Sequence, residues 1–301
     1  MPKPIAVILL NWNTPSLTLR CIETLLENNN NELFDIILAD NGSADDSVEQ
    51  FRTSYPDLTI IENGENLGFA EGNNRAIEKS IALGYKYSLL LNSDTEVWED
   101  IVTPLFNYME NNLDVGGVQP AIYYLDDANS LWNGGSYFNS VLGITYSENN
   151  GLAPEIKDVD WLTGCCMFLR NDVLKETGLF NKAFFLYYED VELSFRIRKS
   201  GNLLKFYPFS KIYHAVGSSG KIERKENEGT ISPIIHYYNV RNRIWNLRIN
   251  GKVVYYPVYL VYNLGFYGSM LGYFLMKRRF KKAKMLLRGL NDGLFKLSST
   301  N

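Results

Sequence analysis

Through the first half of the chain, short aliphatic and β-branched runs alternate with stretches whose apolar positions recur every three or four residues. This is the pattern of successive strand–helix–strand units around a mostly parallel sheet. Residues 5–10 predict the first strand. Thr14 then stands where a cap belongs, with Pro15 at the first helical position and Leu17, Cys21, Ile22, Leu25 and Leu26 on one face. Residues 34–39, 58–61 and 87–91 predict three more strands, with a helix over 70–81 before the last, and Ser43 with Asp46 has capping-box spacing. In the second half, 161–169 and 203–207 read as strands, 190–199 as a helix stopped by Gly201, and 211–214 as a strand end.

In such a sheet ligands bind beyond the carboxyl ends of the strands. The residues there are polar at every turn: Asn11 and Asn13, Asp40 and Asn41, Asn63 and Asn66, Asn92 and Asp94. One polar turn carries no information, because Asn and Asp favour turns. Four along one edge predict a pocket.

Composition narrows the class. A chain of 301 residues with 46% hydrophobic and 21% charged residues is folded, as one large α/β domain or two smaller ones. Its net charge of -4 hides a division: after Val240 there are 12 Lys and Arg against 1 acidic residue, and before it 18 against 33. So acidic a body repels nucleic acid. Cys21, Cys165 and Cys166 form no CxxC pair and only His214 and His236 accompany them, which argues against structural zinc and for a reducing compartment. The first apolar run is too short for a signal peptide. With no GxGxxG after the first strand and no P-loop, hydride transfer and NTP hydrolysis are disfavoured.

Three places could carry chemistry. Asp94 follows an apolar strand two residues after Asn92; alternation along an extended chain would put both on one side, offering an oxygen to a hard cation on a diphosphate. The alternative is a turn in which Asp94 caps a helix. Glu189, Asp190 and Glu192 follow the aromatic run 184–188; desolvation there raises a carboxyl pKa and suits a general base, whereas acidic residues also favour any helix start. His214 could complete a metal site with Asp94 or be structural, and the glycine-flanked segment 217–220 reads as a mobile loop.

The order of these segments resembles glycosyltransferase family 2 enzymes of GT-A fold, particularly the rhamnosyltransferase-like branch. The matching stretches are 7–13, 39–43, 66–74, 92–94, 161–164 and 189–196, within coverage from Ile5 to about Ser219. The resemblance implies a Rossmann-like sheet flanked by helices over 1–220, and the composition of the remainder reads as a basic helical extension over 221–301. It implies nucleotide-sugar contacts from Asn11, Asn13, Asp40, Asn66, Gly68, Phe69, Asn73 and Asn92. Asp40 would read the imide of a uracil or thymine, and Gly68 would let backbone approach the nucleoside. Trp161 and Gly164 would lie on the acceptor side. Asp94 and His214 would hold Mn²⁺ or Mg²⁺, with Asn92 standing where many members have a further Asp. Asp190 would be the catalytic base and Glu189 its support. The implied activity is inverting transfer from a UDP- or dTDP-sugar, such as dTDP-rhamnose, to a glycan or lipid-linked saccharide during cell-surface polysaccharide synthesis. Alternatives are an inactive nucleotide-sugar or glycan-binding module, against which both Asp94 and Asp190 argue, and a sugar nucleotidyltransferase, which expects a basic glycine-rich loop where Asn11 to Thr14 stand.

Residues 253–276 carry no charge, and Lys277, Arg278, Arg279, Lys281, Lys282 and Lys284 follow closely. Pro257, Asn263 and many tyrosines favour a helix or helix pair at an anionic membrane surface, placing the protein in the cytoplasm on the inner face of the membrane. The other reading is a helical hairpin packed on the catalytic domain or on a second copy in a homodimer.

Overall fold

The computed structural model describes residues 3–151, 155–216 and 228–296. The loop expected at 217–220 and the expected boundary after residue 220 lie outside the described residues. The first units follow the sequence periodicity: β1 (Ile5–Asn11), α1 (Pro15–Asn28), β2 (Phe34–Asp40), α2 (Ser47–Ser54), β3 (Thr59–Glu62), α3 (Gly68–Ala82) and β4 (Tyr87–Asn92). Then come β5 (Thr95–Glu96), α4 (Val102–Asn111), β6 (Val115–Tyr124), β7 (Leu131–Asn133), β8 (Ser136–Asn139), β9 (Ile144–Ser147), β10 (Lys157–Asp158), β11 (Cys166–Arg170), α5 (Asn171–Thr177), α6 (Glu189–Lys199) and β12 (Leu203–His214). Three helices close the chain: α7 (Pro233–Asn250), α8 (Tyr256–Met276) and α9 (Phe280–Phe295).

The main sheet runs β10-β12-β6-β11-β4-β1-β2-β3, with β5 on β12 and β7 on β6. It is mixed. The strands β4, β1, β2 and β3 pair in parallel, whereas β11 is antiparallel to both β4 and β6. Aliphatic residues on both sides of β1 and β2 are buried, so a core lies on each face of the sheet, one against α1 and α4 and one against α3, α5 and α6. Each such side chain removed from water contributes about 1.5–3 kcal/mol, and their alternation fixes the register.

Several local expectations are corrected. Ser43 forms no capping box: its hydroxyl bonds Asp40, and α2 starts at Ser47 under Asp46, which makes no side-chain cap. Thr14 likewise makes no capping bond, although Pro15 does open α1. The strand expected over 161–169 begins only at Cys166, because residues 161–165 turn to satisfy distant partners: Leu162 N–H donates to Ser194, Thr163 N–H to Gln119 and Gly164 N–H to Asp190. The two strands read at 203–207 and 211–214 are one, β12, with an irregular register between Tyr207 and Lys211.

The last three helices share their own core of Val240, Ile244, Tyr267, Phe274, Ala283 and Leu286. They also grip the rest of the chain. Arg241 donates to the carbonyls of Ala183 and Phe184, and Tyr259 donates to the Ser140 carbonyl at 2.6 Å. Among the described residues no helix is long and apolar enough to cross a membrane.

Candidate active site

Parallel pairing of β1 with β2 and β4 brings three polar strand ends to one edge. Asn11 is fully buried and spends its amide inward: Nδ2 donates to Asp40 Oδ1 at 2.9 Å and Oδ1 accepts from Thr18 at 2.8 Å. It therefore positions Asp40, whose other oxygen accepts from Ser43 N–H at 2.9 Å. Asn13, in a left-handed conformation, ties this turn to Ala44 N–H at 2.7 Å. Asn41 joins the β2 end to the loop before α3, donating to Asn66 Oδ1 and to the Gly68 carbonyl. Asn66 in turn accepts from Gly68 N–H, and Asn73 donates back into its own helix at the Phe69 carbonyl.

The φ of +76° at Gly68 and its missing Cβ admit the backbone of Phe185, whose carbonyl takes the place a Cβ would need. That carbonyl accepts from Phe69 N–H at 2.7 Å, so the start of α3 is stapled to the loop before α6.

Asn92 ends β4, and Ser93 and Asp94 form a turn, so Asn92 and Asp94 are not alternate residues of one strand as expected. No helix follows for Asp94 to cap either; β5 does, and it pairs antiparallel with β12 so that Thr95 opposes His214. This register sets His214 Nε2 3.1 Å from Asp94 Oδ1, both side chains less than a tenth exposed. His214 Nδ1 is buried without a hydrogen-bond partner, and the ring packs edge-on against Trp132. One carboxylate and one imidazole are donors that would suit a hard or borderline divalent ion. Among the described residues no group of three or more His, Cys, Asp and Glu surrounds a point, so the chain by itself offers this pair.

The three carboxylates at the start of α6 separate in role. Glu192 is held by Arg196 through two bonds of 2.8 Å, and Arg196 also reaches the Thr177, Gly178 and Leu179 carbonyls. Asp190 Oδ2 accepts from Gly164 N–H at 2.9 Å and Oδ1 from Val191 N–H at 2.8 Å. Glu189 is 4% exposed and its Oε2 has no partner. Burial raises both carboxyls, and the charge of Asp190 adds to the rise at Glu189. The two amide bonds and the helix start favour the anion at Asp190, so of the two carboxyls Glu189 is the one raised further.

Gly164 sits between Asp190 and the ring of Phe69, which lies 2.9 Å from where a Cβ would stand. Its neighbour Cys165 accepts from Asn92 N–H at 2.9 Å, and burial with the Asp94 charge pushes the Cys165 thiol up. Residues 164 and 165 thus link Asp190 to the end of β4, through the Gly164 N–H and the Cys165 carbonyl. The Trp161 indole donates to the Tyr137 carbonyl at 3.1 Å.

The model of glycosyl transferase family 2 matches residues 6–178. The chain belongs to this family. It is 27% identical over 214 residues to an N-acetylglucosaminyl-diphospho-decaprenol L-rhamnosyltransferase of Mycobacterium tuberculosis, covering 62% of this chain and 68% of that one. It is 26% identical over 196 residues to the dTDP-rhamnosyl transferase RfbF of Shigella flexneri, covering 64% and 63%. The structure resembles GalNAc-T7 with UDP, GalNAc and Mn²⁺ at a TM-score of 0.63 and 14% identity, over 82% of this chain and just under half, 48%, of that one. The glycosyltransferase thus has a GT-A fold, a mixed α/β sheet with flanking helices, and a helical carboxyl end.

Sequence reading missed what holds the α6 loop. Phe185, Tyr187 and Tyr188 all have φ between 64° and 69°, unfavourable for such residues. Asn242 on α7 holds them there: its fully buried amide nitrogen lies 2.7–2.8 Å from the carbonyls of Phe184, Leu186 and Tyr187. Phe185 stacks on Tyr238, ring centroids 5.1 Å apart. The polar run Arg241-Asn242-Arg243 inside a helix was the available signal, but such residues are ordinarily solvated.

Proposed function

We propose that the chain is an inverting, metal-dependent glycosyltransferase that moves a sugar from a dTDP- or UDP-linked donor, with dTDP-rhamnose the first candidate, to a hydroxyl of a lipid-diphosphate-linked saccharide. The observation that carries this reading is the half-buried Asp190, held on Gly164 N–H near the polar strand ends. The names of the mycobacterial and Shigella relatives support the sugar and the acceptor class.

Asp190 takes the acceptor hydroxyl proton as that oxygen attacks the anomeric carbon opposite the departing diphosphate, so the product inverts. Asp40, fixed by Asn11 and Ser43, orients the base of the donor. Asp94 and His214 would hold the divalent cation, which when bound neutralises negative charge on the leaving diphosphate. Neutral Glu189 supports Asp190 without adding a second negative charge. The outward face of α8, with Leu260, Val261 and Leu264 more than half exposed, rests on the inner membrane surface, where lipid-linked acceptors reside.

A thermal-shift panel of dTDP- and UDP-sugars with and without Mn²⁺ tests it, since a ligand at 100 times its Kd adds about 2.7 kcal/mol. A Mn²⁺-dependent shift with dTDP-rhamnose is expected, followed by an inverted anomeric product by NMR. No shift with any nucleotide sugar, or a retained configuration, would overturn the reading.

A further inference from the structure

Arg243 lies in the middle of α7 and is 8% exposed, yet its Nε and Nη2 have no hydrogen-bond partner among the described residues. Its guanidinium carbon sits 5.3 Å from the ring centroid of Tyr262, 5.4 Å from that of Phe266 and 5.8 Å from that of Tyr267, all on α8. These rings offset part of the cost of burying the charge. A ring stacked on the guanidinium face leaves the in-plane N–H groups unanswered, and a buried cation without a hydrogen-bonded counter-ion is otherwise unfavourable. The two unpaired atoms share one edge of the group, the side-on fork that meets two oxygens of a phosphate at once.

The location is informative. Asn242, next to Arg243 on α7, donates to the Tyr187 carbonyl at 2.7 Å, three residues before Asp190, so α7 carries Arg243 to the loop that leads into the carboxylate pair. Phe266, one of the three rings around the guanidinium, is itself 40% exposed. Beyond it runs the exposed apolar strip of Val261 and Leu264, followed by the exposed cations Lys277 and Arg278.

We propose that the Nε–Nη2 edge of Arg243 receives the diphosphate of a lipid-linked acceptor, with the acceptor sugar at Asp190 and the lipid leaving along α8. This rests on the glycosyl-transfer reading above and adds how the acceptor is recognised. A sugar presented without the phosphate leaves the guanidinium unpaired.

The test compares two acceptors that share a sugar and an alkyl chain, undecyl-diphosphate N-acetylglucosamine and undecyl N-acetylglucosaminide, on the full chain. Binding is measured by calorimetry with dTDP saturating the donor pocket, so that pocket does not contribute. Arg243→Gln is expected to weaken the diphosphate compound roughly 10–100-fold, the factor for losing a charge-assisted pair, and to leave the glycoside unchanged. Arg243→Lys keeps the charge without the fork and should lose less. Arg243→Met fills the cage without charge and should unfold no lower than the native protein. Equal effects on both acceptors, or no binding of the diphosphate compound by the native protein, overturn the proposal. So does release of the Gln variant from anionic vesicles, which would assign the fork to a bilayer headgroup instead. Because binding is read without donor sugar, loss of all transfer activity would count against the function above and leave this test standing.

Discussion

Asp190 Oδ2 accepts the backbone N–H of Gly164 at 2.9 Å, which joins the first turn of α6 to the turn before β11. The packing around that bond favours glycine, because a Cβ on residue 164 would stand 2.9 Å from the tip of the Phe69 ring and force it to shift. Gly164→Ala should therefore cost about 1–3 kcal/mol of stability as an overpacked site, and should lower kcat for acceptor transfer while dTDP affinity changes little. A native-like kcat in the folded variant would show that the carboxylate tolerates displacement.

Asp190→Asn keeps shape and removes the proton acceptor, so turnover should fall roughly 10²–10⁴-fold with donor affinity nearly unchanged. Because burial raises Asp190 and the base acts ionised, native kcat/KM should climb with pH through a value above the ordinary ~3.9 of aspartate. Glu189→Gln should leave that acidic limb in place, since Glu189 already carries its proton where Asp190 titrates. If Glu189→Gln is the crippling change and Asp190→Asn is mild, the base has been assigned to the wrong carboxylate.

Stability gives Glu189 a separate signature. Its carboxyl is raised in the folded state, by burial first and by Asp190 second. The folded form therefore holds a proton that the unfolded chain loses, and the associated stability is complete below the unfolded value near 4.3 and fades as pH rises toward the folded one. Glu189→Gln should match the native protein at pH 4 and gain on it by about 1.4 kcal/mol per pH unit above that, until the folded carboxyl ionises. Denaturant melts at pH 4, 6 and 8 measure the difference; parallel curves would mean Glu189 is not buried as a neutral acid.

At the β4 turn, Asp94→Ala and His214→Ala should each abolish the Mn²⁺-dependent part of donor binding while the metal-free part persists. Thermal shifts with dTDP in Mn²⁺ or in EDTA read this directly. Full activity of Asp94→Ala, or of the native protein in excess EDTA, would remove the metal from the reaction.

The carboxyl-terminal helices divide between core and surface. Tyr267 and Phe274 pack on Val240 and Ile244, so deletion from Val253 onward should expose that core and give aggregation. The outward residues Leu260, Val261 and Leu264 answer to a different assay. The intact protein should float with anionic vesicles at low salt and leave them as salt rises, and a triple change of these residues to Ser should abolish flotation without unfolding. Lys282 does not belong to the headgroup-facing cluster expected from sequence, because it is only 3% exposed. Failure of the native protein to float, with a dimer in sedimentation, would give the α8 face to a second copy.

The sequence by itself determined the amino-terminal half. Alternating apolar runs act locally, so β1 to β4, their helices, and the polar strand ends from Asn11 to Asp94 were legible from spacing, even though the expected capping bonds do not form. The acidic start of α6 was legible too, as three carboxylates in one turn. What each carboxylate does was decided elsewhere. Glu192 meets Arg196, Asp190 meets a backbone amide 26 positions earlier, and Glu189 keeps one buried oxygen without a partner, and no local rule separates the three. Pairing His214 with Asp94 required β5 to run antiparallel to β12, a contact between segments about 120 residues apart. The α7 polar run reads as a solvated face until tertiary packing seals it against the 184–188 loop. Burial converts those side chains from surface decoration into the bonds that hold Phe185, Tyr187 and Tyr188 in their strained conformation. Hydrophobic period is a property of neighbours along the chain, whereas the environment of a charge is set by whatever folds over it.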